Sequence, residues 1–489
     1  MSRIITNVPS LIGQRNLGLQ NRSLNTTLER LSTGLRINRG GDDPAGLIAS
    51  ENLRAEMKAI SAAIKNGERA EQVVNVAEGG LQEINNLLQE LQGLVGQSAN
   101  EAGLSTEERE ANQQQIDSIL QTIDRISNAT SFQGTKLLNG NFDYTTSAVN
   151  STLLSDVTIN SAKLPSSAGA FLTATVDVLT SAQTAEVYLS TAAALNGGGG
   201  SYTIEITGNV GTQQITIGSG TSQANIILAI NQFKDVTGVS AAQNATNTDR
   251  VELRSSGFGT EAFVRVKELA GNASNLIFDV NTGGTGDDDF TDTGRNATLV
   301  INGIQATTNG LQARVSSDGF DISVTIDGTS ALNTTNGTTN FHITGGGATF
   351  SLNPEVNLAG KVSLGIKSVS SGNLGNAVTG FLSDLKSGGA GAVTTGDIDK
   401  AQTIISASIK QVSGLRGRLG AFQSNVVGAS VRSLGISFEN TAAAESQIRD
   451  TDFAAETANL TRSQILVQAA TTVLSLSNAQ PQSVLALLG

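Results

Sequence analysis

Cysteine is absent from all 489 residues. That excludes disulfides, thiolate catalysis and cysteine-ligated metals. Histidine occurs once, at His342, so an HExxH zinc site, or any site needing two imidazoles, is ruled out. His342 lies in Asn-Phe-His-Ile-Thr, an alternating stretch that reads as a surface strand, and no Ser-His-Asp set can be assembled around it. Tryptophan is missing, aromatics make up 4% and none precedes Phe132, so the cores must be aliphatic. Charged residues are 15%, well below the usual ~25%. The net charge of −12 and the lack of a basic stripe argue against a nucleic-acid partner. No run of ~18 apolar residues exists, which argues against membrane insertion. The first ten residues carry no apolar h-region, so a secretory signal peptide is not expected and export would take another route.

Motifs for chemistry are missing too. Gly218-Ser-Gly220 does not continue as GxGxxG, Gly197–Gly200 follows no strand-to-helix pattern, and no Walker motif occurs; turns and linkers account for these glycines. Asp287-Asp288-Asp289 with Asp292 lacks the glycine and terminal glutamate of an EF-hand loop and reads as a solvated acidic loop. Glu107-Glu108 read as favourable charges at a helix N-terminus. No catalytic, cofactor-binding or metal-ligating residue is expected, and no cofactor.

What is present is helical seam at both ends of the chain. Val74, Ala77, Leu81, Ile84, Leu88, Leu91 and Val95 step alternately by three and four, the pattern of one apolar helix face. Ile405, Val412, Leu419 and Val426 repeat at sevens, with Ile409 and Phe422 between them. These positions are expected to form the core of a long antiparallel helical rod. Gly40-Gly41 breaks the chain, Asp42 or Asp43 caps the next helix and Pro44 opens it. No proline follows until Pro165, so that helix can run to about residue 99, on the order of 80 Å. Ser105 and Glu108 form a capping box for a third helix that reverses against the second. Residues 132–144 read as loop and hairpin, with Asn139-Gly140 as the turn signal.

The outermost segments are different. Residues 1–35 read as a helix with Leu17, Leu24, Leu28, Leu31 and Leu35 on one face. A second runs from about 441 to 477 and carries Leu466, Val473 and Leu476. Both are thinly apolar, sparsely charged and marginal alone. Sticky helices at both termini point to self-assembly, in which burial occurs between subunits.

Between the ends, from about 145 to 395, Gly, Ser, Thr and Asn dominate and period-2 strands appear, with a short helix expected at 222–233. The fold class is therefore mainly α at both termini with β-rich (α+β) domains inserted in the middle. The boundaries drawn are 1–43 with 447–489, 44–145 with 385–446, 146–285, and 286–384.

Glu29-Arg-Leu-Ser-Thr-Gly-Leu-Arg-Ile-Asn38, Asp42-Asp-Pro-Ala-Gly46, Glu78-Gly-Gly-Leu-Gln-Glu-Ile-Asn-Asn86 and Leu94-Val-Gly-Gln-Ser-Ala-Asn100 resemble the N-terminal signature of bacterial flagellin. Arg416-Gly-Arg-Leu-Gly-Ala-Phe-Gln423, Ile448-Arg-Asp-Thr-Asp-Phe453, Ser463-Gln-Ile-Leu466 and Pro481-Gln-Ser-Val-Leu-Ala-Leu-Leu488 resemble its C-terminal one. Asn296-Ala-Thr-Leu-Val-Ile-Asn-Gly303 resembles a small repeat inserted in many flagellins. The resemblance implies a filament subunit for swimming motility, not an enzyme, exported unfolded by the flagellar type III route to an extracellular flagellum. It implies as partners further copies of the chain, an export chaperone at the C-terminal helix, the filament cap and hook-associated proteins. A hook–filament junction protein, which shares the terminal motifs, is the alternative. The surface that an innate-immune receptor reads on many flagellins falls on Glu90, Leu94 and Gln115. Recognised forms carry Arg and Glu where this chain has Glu90 and Gln115, so weak receptor activation is expected.

Overall fold

The computed structural model describes residues 6–100, 103–165, 171–190, 201–218, 220–245, 247–270, 277–278, 289–317, 319–328, 337–376 and 378–488, apart from the side chains of 278 and 481–488. Gly197–Gly200 and the pair Asp287-Asp288 lie outside them. The helices used below are α1 (Val8–Thr33), α2 (Pro44–Ser98), α3 (Thr106–Ala129), α4 (Gln223–Asn231), α5 (Lys234–Thr237), α6 (Ile398–Ala421), α7 (Gly428–Arg449) and α8 (Phe453–Leu488). The chain forms two compact units, Met1–Gln72 with Ser351–Gly360 and Ala421–Gly489, and Val73–Phe350 with Lys361–Gly420.

In the first unit α1 pairs with α8. Asn7 caps α1, its side chain accepting from Ser10 N at 3.1 Å, and Pro9 fits the first turn. The helix ends sooner than the leucine spacing suggested. Gly34 turns left-handed at φ 72°, and Leu35 leaves the helix to form a β-bridge with Asp450. The expected continuous helix over 441–477 is likewise interrupted. Asp450 is extended, and the Asp452 carboxylate accepts from Ala454 N at 2.9 Å, opening α8 as a new helix. Asp452 thereby satisfies backbone N–H groups that the first turn of a helix leaves without partners. Arg36 closes the gap by donating to the Ile448 carbonyl at 3.2 and 2.6 Å. Pro44 starts α2 as expected, with Asp43 accepting from Gly46 N at 2.9 Å.

α7 lies against the first part of α2. Gln423 donates to Glu71 at 3.1 Å, and Arg449 to Glu51 at 2.9 Å. Residues Phe422–Val427 form a π-helical segment, which inserts one extra residue per turn. The seven-residue repeat therefore slips there: Val427 is buried at 1% exposure, while Val426, which the repeat selects, is only half-buried.

In the second unit the capping box at Ser105 and Glu108 is formed and starts α3. Polar side chains of α3 fasten the segments leading into α6. Gln113 donates to Leu385 O at 2.8 Å and accepts from Val393 N at 2.9 Å. Asp124 holds Ser371 through N and Oγ at 2.7 and 2.9 Å, and Asp117 holds Ser387 in the same way. The hairpin pairs Ser131–Phe132 with Thr135–Lys136 and turns at Gln133-Gly134, both with positive φ, as a tight two-residue turn requires. Asn139-Gly140, which carries the stronger sequence signal, makes a turn outside that hairpin.

The β-rich middle holds two cores. In one, strands order as Ile304–Gln305, Thr298–Ile301, Leu172–Thr180, Gly337–Gly345, Thr145–Ser147, and a second sheet as Thr307–Asn309, Gln312–Ser317, Phe320–Ile326, Leu154–Ala162. Val176, Leu299, Ile322, Val324, Phe341 and Ile343 fill it. The other core lies between Ile277–Phe278, Thr184–Ser190, Arg250–Phe258, Val239–Gln243 and the sheet of Asp289–Thr293, Phe263–Ala270, Tyr202–Gly208, Thr212–Ile217, with α4 packed on it. Alternation is clean: Tyr202, Ile204 and Ile206 are buried and the residues between them face outward. The strand pairing crosses the boundary drawn at 285, because Leu172–Thr180 bonds to both Thr298–Ile301 and Gly337–Gly345. The second core is an insertion into the first, and such non-local pairing leaves no mark on local sequence pattern.

Candidate assembly surface

α1 meets α8 through small and polar groups. Asn7 Nδ2 donates to Ser477 O at 2.8 Å, Ser10 Oγ to Asn478 Oδ1 at 2.7 Å, and Ser23 and Ser463 hydroxyls lie 3.5 Å apart. A Cβ at Gly13 would stand 3.2 Å from Leu474 Cδ1, so glycine sets the close approach there. The residues buried on α1 are Ser10, Gly13 and Thr27, and on α8 they include Glu456 and Ser463.

The apolar residues are spread differently from the sequence expectation. Leu17, Leu24, Leu31 and Leu35 are half-buried. Leu28, Leu466, Val473 and Leu476 are exposed, Leu476 to 65%. Leu11, Ile12, Leu19 and Ile465 are exposed as well. A single leucine stripe with a seven-residue step misses these four; their signal in the sequence is that the apolar residues of each helix lie on more than one face. Two paired helices thus keep large aliphatic groups in water.

The rod-core positions are enclosed. Val74, Leu81, Ile84, Leu88, Leu91 and Val95 of α2 and Ile405, Val412 and Leu419 of α6 are each at most 1% exposed. α6 and α2 are joined by Arg416, whose Nε donates to Glu78 at 2.7 Å. Two residues on, and so on another face of the helix, Arg418 donates to Asn160 of the first β core. Asn160 passes the contact to Asp321 at 3.1 Å, and Arg314 grips Asp321 through two bonds of 3.0 and 2.7 Å. Burial lowers the basicity of Arg418, with the Asp321 carboxylate opposing that effect. Beside this network, burial raises the Asp143 carboxyl above the usual carboxylate range, against the pull of Lys367. On the outer turn of α2, Arg54 and then Arg449 hold Glu51 below that range.

Of the three positions matched to an immune-receptor surface, Glu90 and Gln115 are exposed, and Leu94 is turned inward at 8% exposure. The His342 ring lies 4.4 Å from Phe171, centroid to centroid, and its Nδ1 is 3.1 Å from Thr173 Oγ1. Among the described residues no group of three His, Asp or Glu side chains could hold a metal ion, and no helix is long and apolar enough to cross a membrane.

Family models match both ends of the chain: the bacterial flagellin N-terminal helical region over residues 4–143 and the bacterial flagellin C-terminal helical region over residues 402–488. A flagellin of Salmonella typhimurium is 30% identical, with 100% of each chain covered. Flagellin A of Helicobacter pylori is 26% identical over 99% of both. Among solved structures, the flagellar junction protein FlgL of Legionella pneumophila aligns over 82% of this chain and 99% of its own at 14% identity, with a TM-score of 0.28.

Proposed function

The chain belongs to the bacterial flagellin family and is a subunit of the flagellar filament, and we propose that its copies join through the exposed apolar residues of α1 and α8. The observation that carries this reading is the polar seam between those two helices. It leaves Leu28, Leu466, Val473 and Leu476 42–65% exposed, so each would gain on the order of 1 kcal/mol by burying the remainder. Burial against further copies supplies it. In this reading residues 1–43 with 447–489 form the inner layer of the filament, 44–145 with 385–446 the rod layer around it, and the β-rich cores face outward. The enclosed positions of α2 and α6 then keep the rod intact while the terminal helices make the contacts between copies.

The finer partners belong to the same proposal. The chain leaves the cell unfolded by the flagellar type III route and takes its place in an extracellular filament. An export chaperone holds residues 451–489, a stretch whose exposed apolar groups need cover before assembly. The filament cap and hook-associated proteins meet the subunit at the filament ends. A flagellin relative matched over its full length at 30% identity favours the filament subunit over a junction protein. Glu90 on the exposed flank of α2 is the wrong charge for a receptor contact that favours a cation, which supports weak innate-immune signalling.

Seeded polymerisation tests the reading. Protein heated to monomer and cooled with filament seeds should grow long filaments under the electron microscope. The triple variant Leu466→Asp, Val473→Asp, Leu476→Asp should keep the monomer's helical circular dichroism and fail to grow. Removal of residues 1–35 should do the same while the 44–440 portion stays folded. Growth of either variant at the parent's rate would refute the assignment of α1 and α8.

A further inference from the structure

The loop Ser351–Gly360 belongs to the same compact unit as the terminal helices rather than to the β-rich cores. Its ends are clasped by Leu352 N donating to Gly360 O at 3.0 Å. Asn357 holds the tip: its Oδ1 accepts from Gly360 N at 2.7 Å, its Nδ2 donates to Glu355 at 3.2 Å, and its backbone N donates to Glu355 O at 3.0 Å. A Cβ on Gly360 would fall 2.3 Å from Asn353 Cβ, so the closure requires glycine there. Leu352 anchors the loop, 6% exposed, with its Cδ2 3.8 Å from where a Cβ on Gly67 would be. This is a closed, self-packed loop of the kind that often carries function.

What it holds up is apolar. Val356 is 88% exposed, the highest value among the large apolar side chains of the described residues, and Leu358, two residues on, is 42% exposed. Isolated surface valines are ordinary. Two apolar side chains at the tip of a loop fixed by four hydrogen bonds are not, because ordering that tip has already cost its entropy. A pre-ordered apolar knob binds without the ordering cost that weakens flexible loops. We infer that Val356 and Leu358 form a knob that docks on a second copy of this chain in the filament. The inference rests on the filament reading: in a helical polymer each subunit is surrounded by copies of itself, and contacts are heterologous, knob on one copy and receiving surface on the next. The location agrees, since the loop sits on the unit that carries the assembly helices.

The missing cysteines make the test clean. Val356→Cys labelled with a benzophenone maleimide carries one photoprobe per subunit. Irradiated filaments should give a ladder of covalent dimers and higher species, and irradiated monomer none. Val356→Asp and the milder Val356→Ser should leave monomer thermal unfolding unchanged, as an exposed tip predicts. Val356→Asp should raise the critical concentration for growth roughly tenfold, the effect of losing one anchor side chain, with Val356→Ser between it and the parent. Absence of the ladder, or wild-type critical concentrations for both variants, overturns the knob while leaving the filament reading intact. Failure of the unsubstituted chain to polymerise would count against the filament reading itself.

Discussion

A Cβ on Gly67 of α2 would stand 2.5 Å from Val431 Cγ2 of α7. The two helices approach as closely as they do because residue 67 has no side chain. Gly67→Ala sets two effects against each other. In an exposed helix the change gains about 1 kcal/mol. Here the added methyl meets a β-branched side chain with little rotamer freedom, and overpacking costs about 1–3 kcal/mol. The clash wins, so thermal unfolding should shift down. Gly79, with nothing within 4 Å of its Cβ position, is the control: Gly79→Ala should shift unfolding up. Stabilisation by both variants would show that the helices separate freely.

The π-helical segment makes a second prediction, on neighbouring valines. Val427→Ala removes a side chain that is 1% exposed and should cost about 2 kcal/mol. Val426→Ala, at a half-buried position, should cost about half as much or less. Chemical denaturation monitored by circular dichroism distinguishes them. The reverse order would mean that the seven-residue repeat runs on without a slip.

Asp143 supplies a pH dependence. Burial raises its carboxyl above the usual range, Lys367 and Arg418 pull it down and Asp156 pushes it up. A raised folded-state value means that the fold favours the protonated acid. Its contribution is therefore present below the unfolded carboxylate value, about 3.9, and is lost as pH rises through the folded value. Asp143→Asn keeps an acceptor for Tyr144 N, now bonded at 2.9 Å, and removes the buried charge. The variant should match the parent in acid and become the more stable of the two towards neutral pH. A stability difference independent of pH would refute the shift.

Much of the helical architecture is legible in the sequence. Pro44, the Ser105–Glu108 box and the apolar steps from Val74 to Val95 are local signals, because helix starts and helix faces depend on residues three or four apart. Leu35 lies outside the helix that its spacing predicts, since the left-handed turn at Gly34 ends α1 before it. Val426 lies off the buried face that its spacing predicts, because one π-turn shifts a phase that a heptad count holds constant. Leu94 matched a surface motif yet faces inward, since motif spacing does not say which face a rod encloses.

By itself the sequence determined the class of this protein: no thiols, one imidazole, aliphatic seams at both ends and the motifs of a filament subunit. Periodicity and composition act through neighbours along the chain, and so they are readable from it. The tertiary structure alone decided three things: that small and polar residues join α1 to α8, that one β core is inserted into the other, and that Val356 is held in the open. Each depends on which distant segment lies opposite, a choice set by the summed burial and hydrogen bonding of the whole fold.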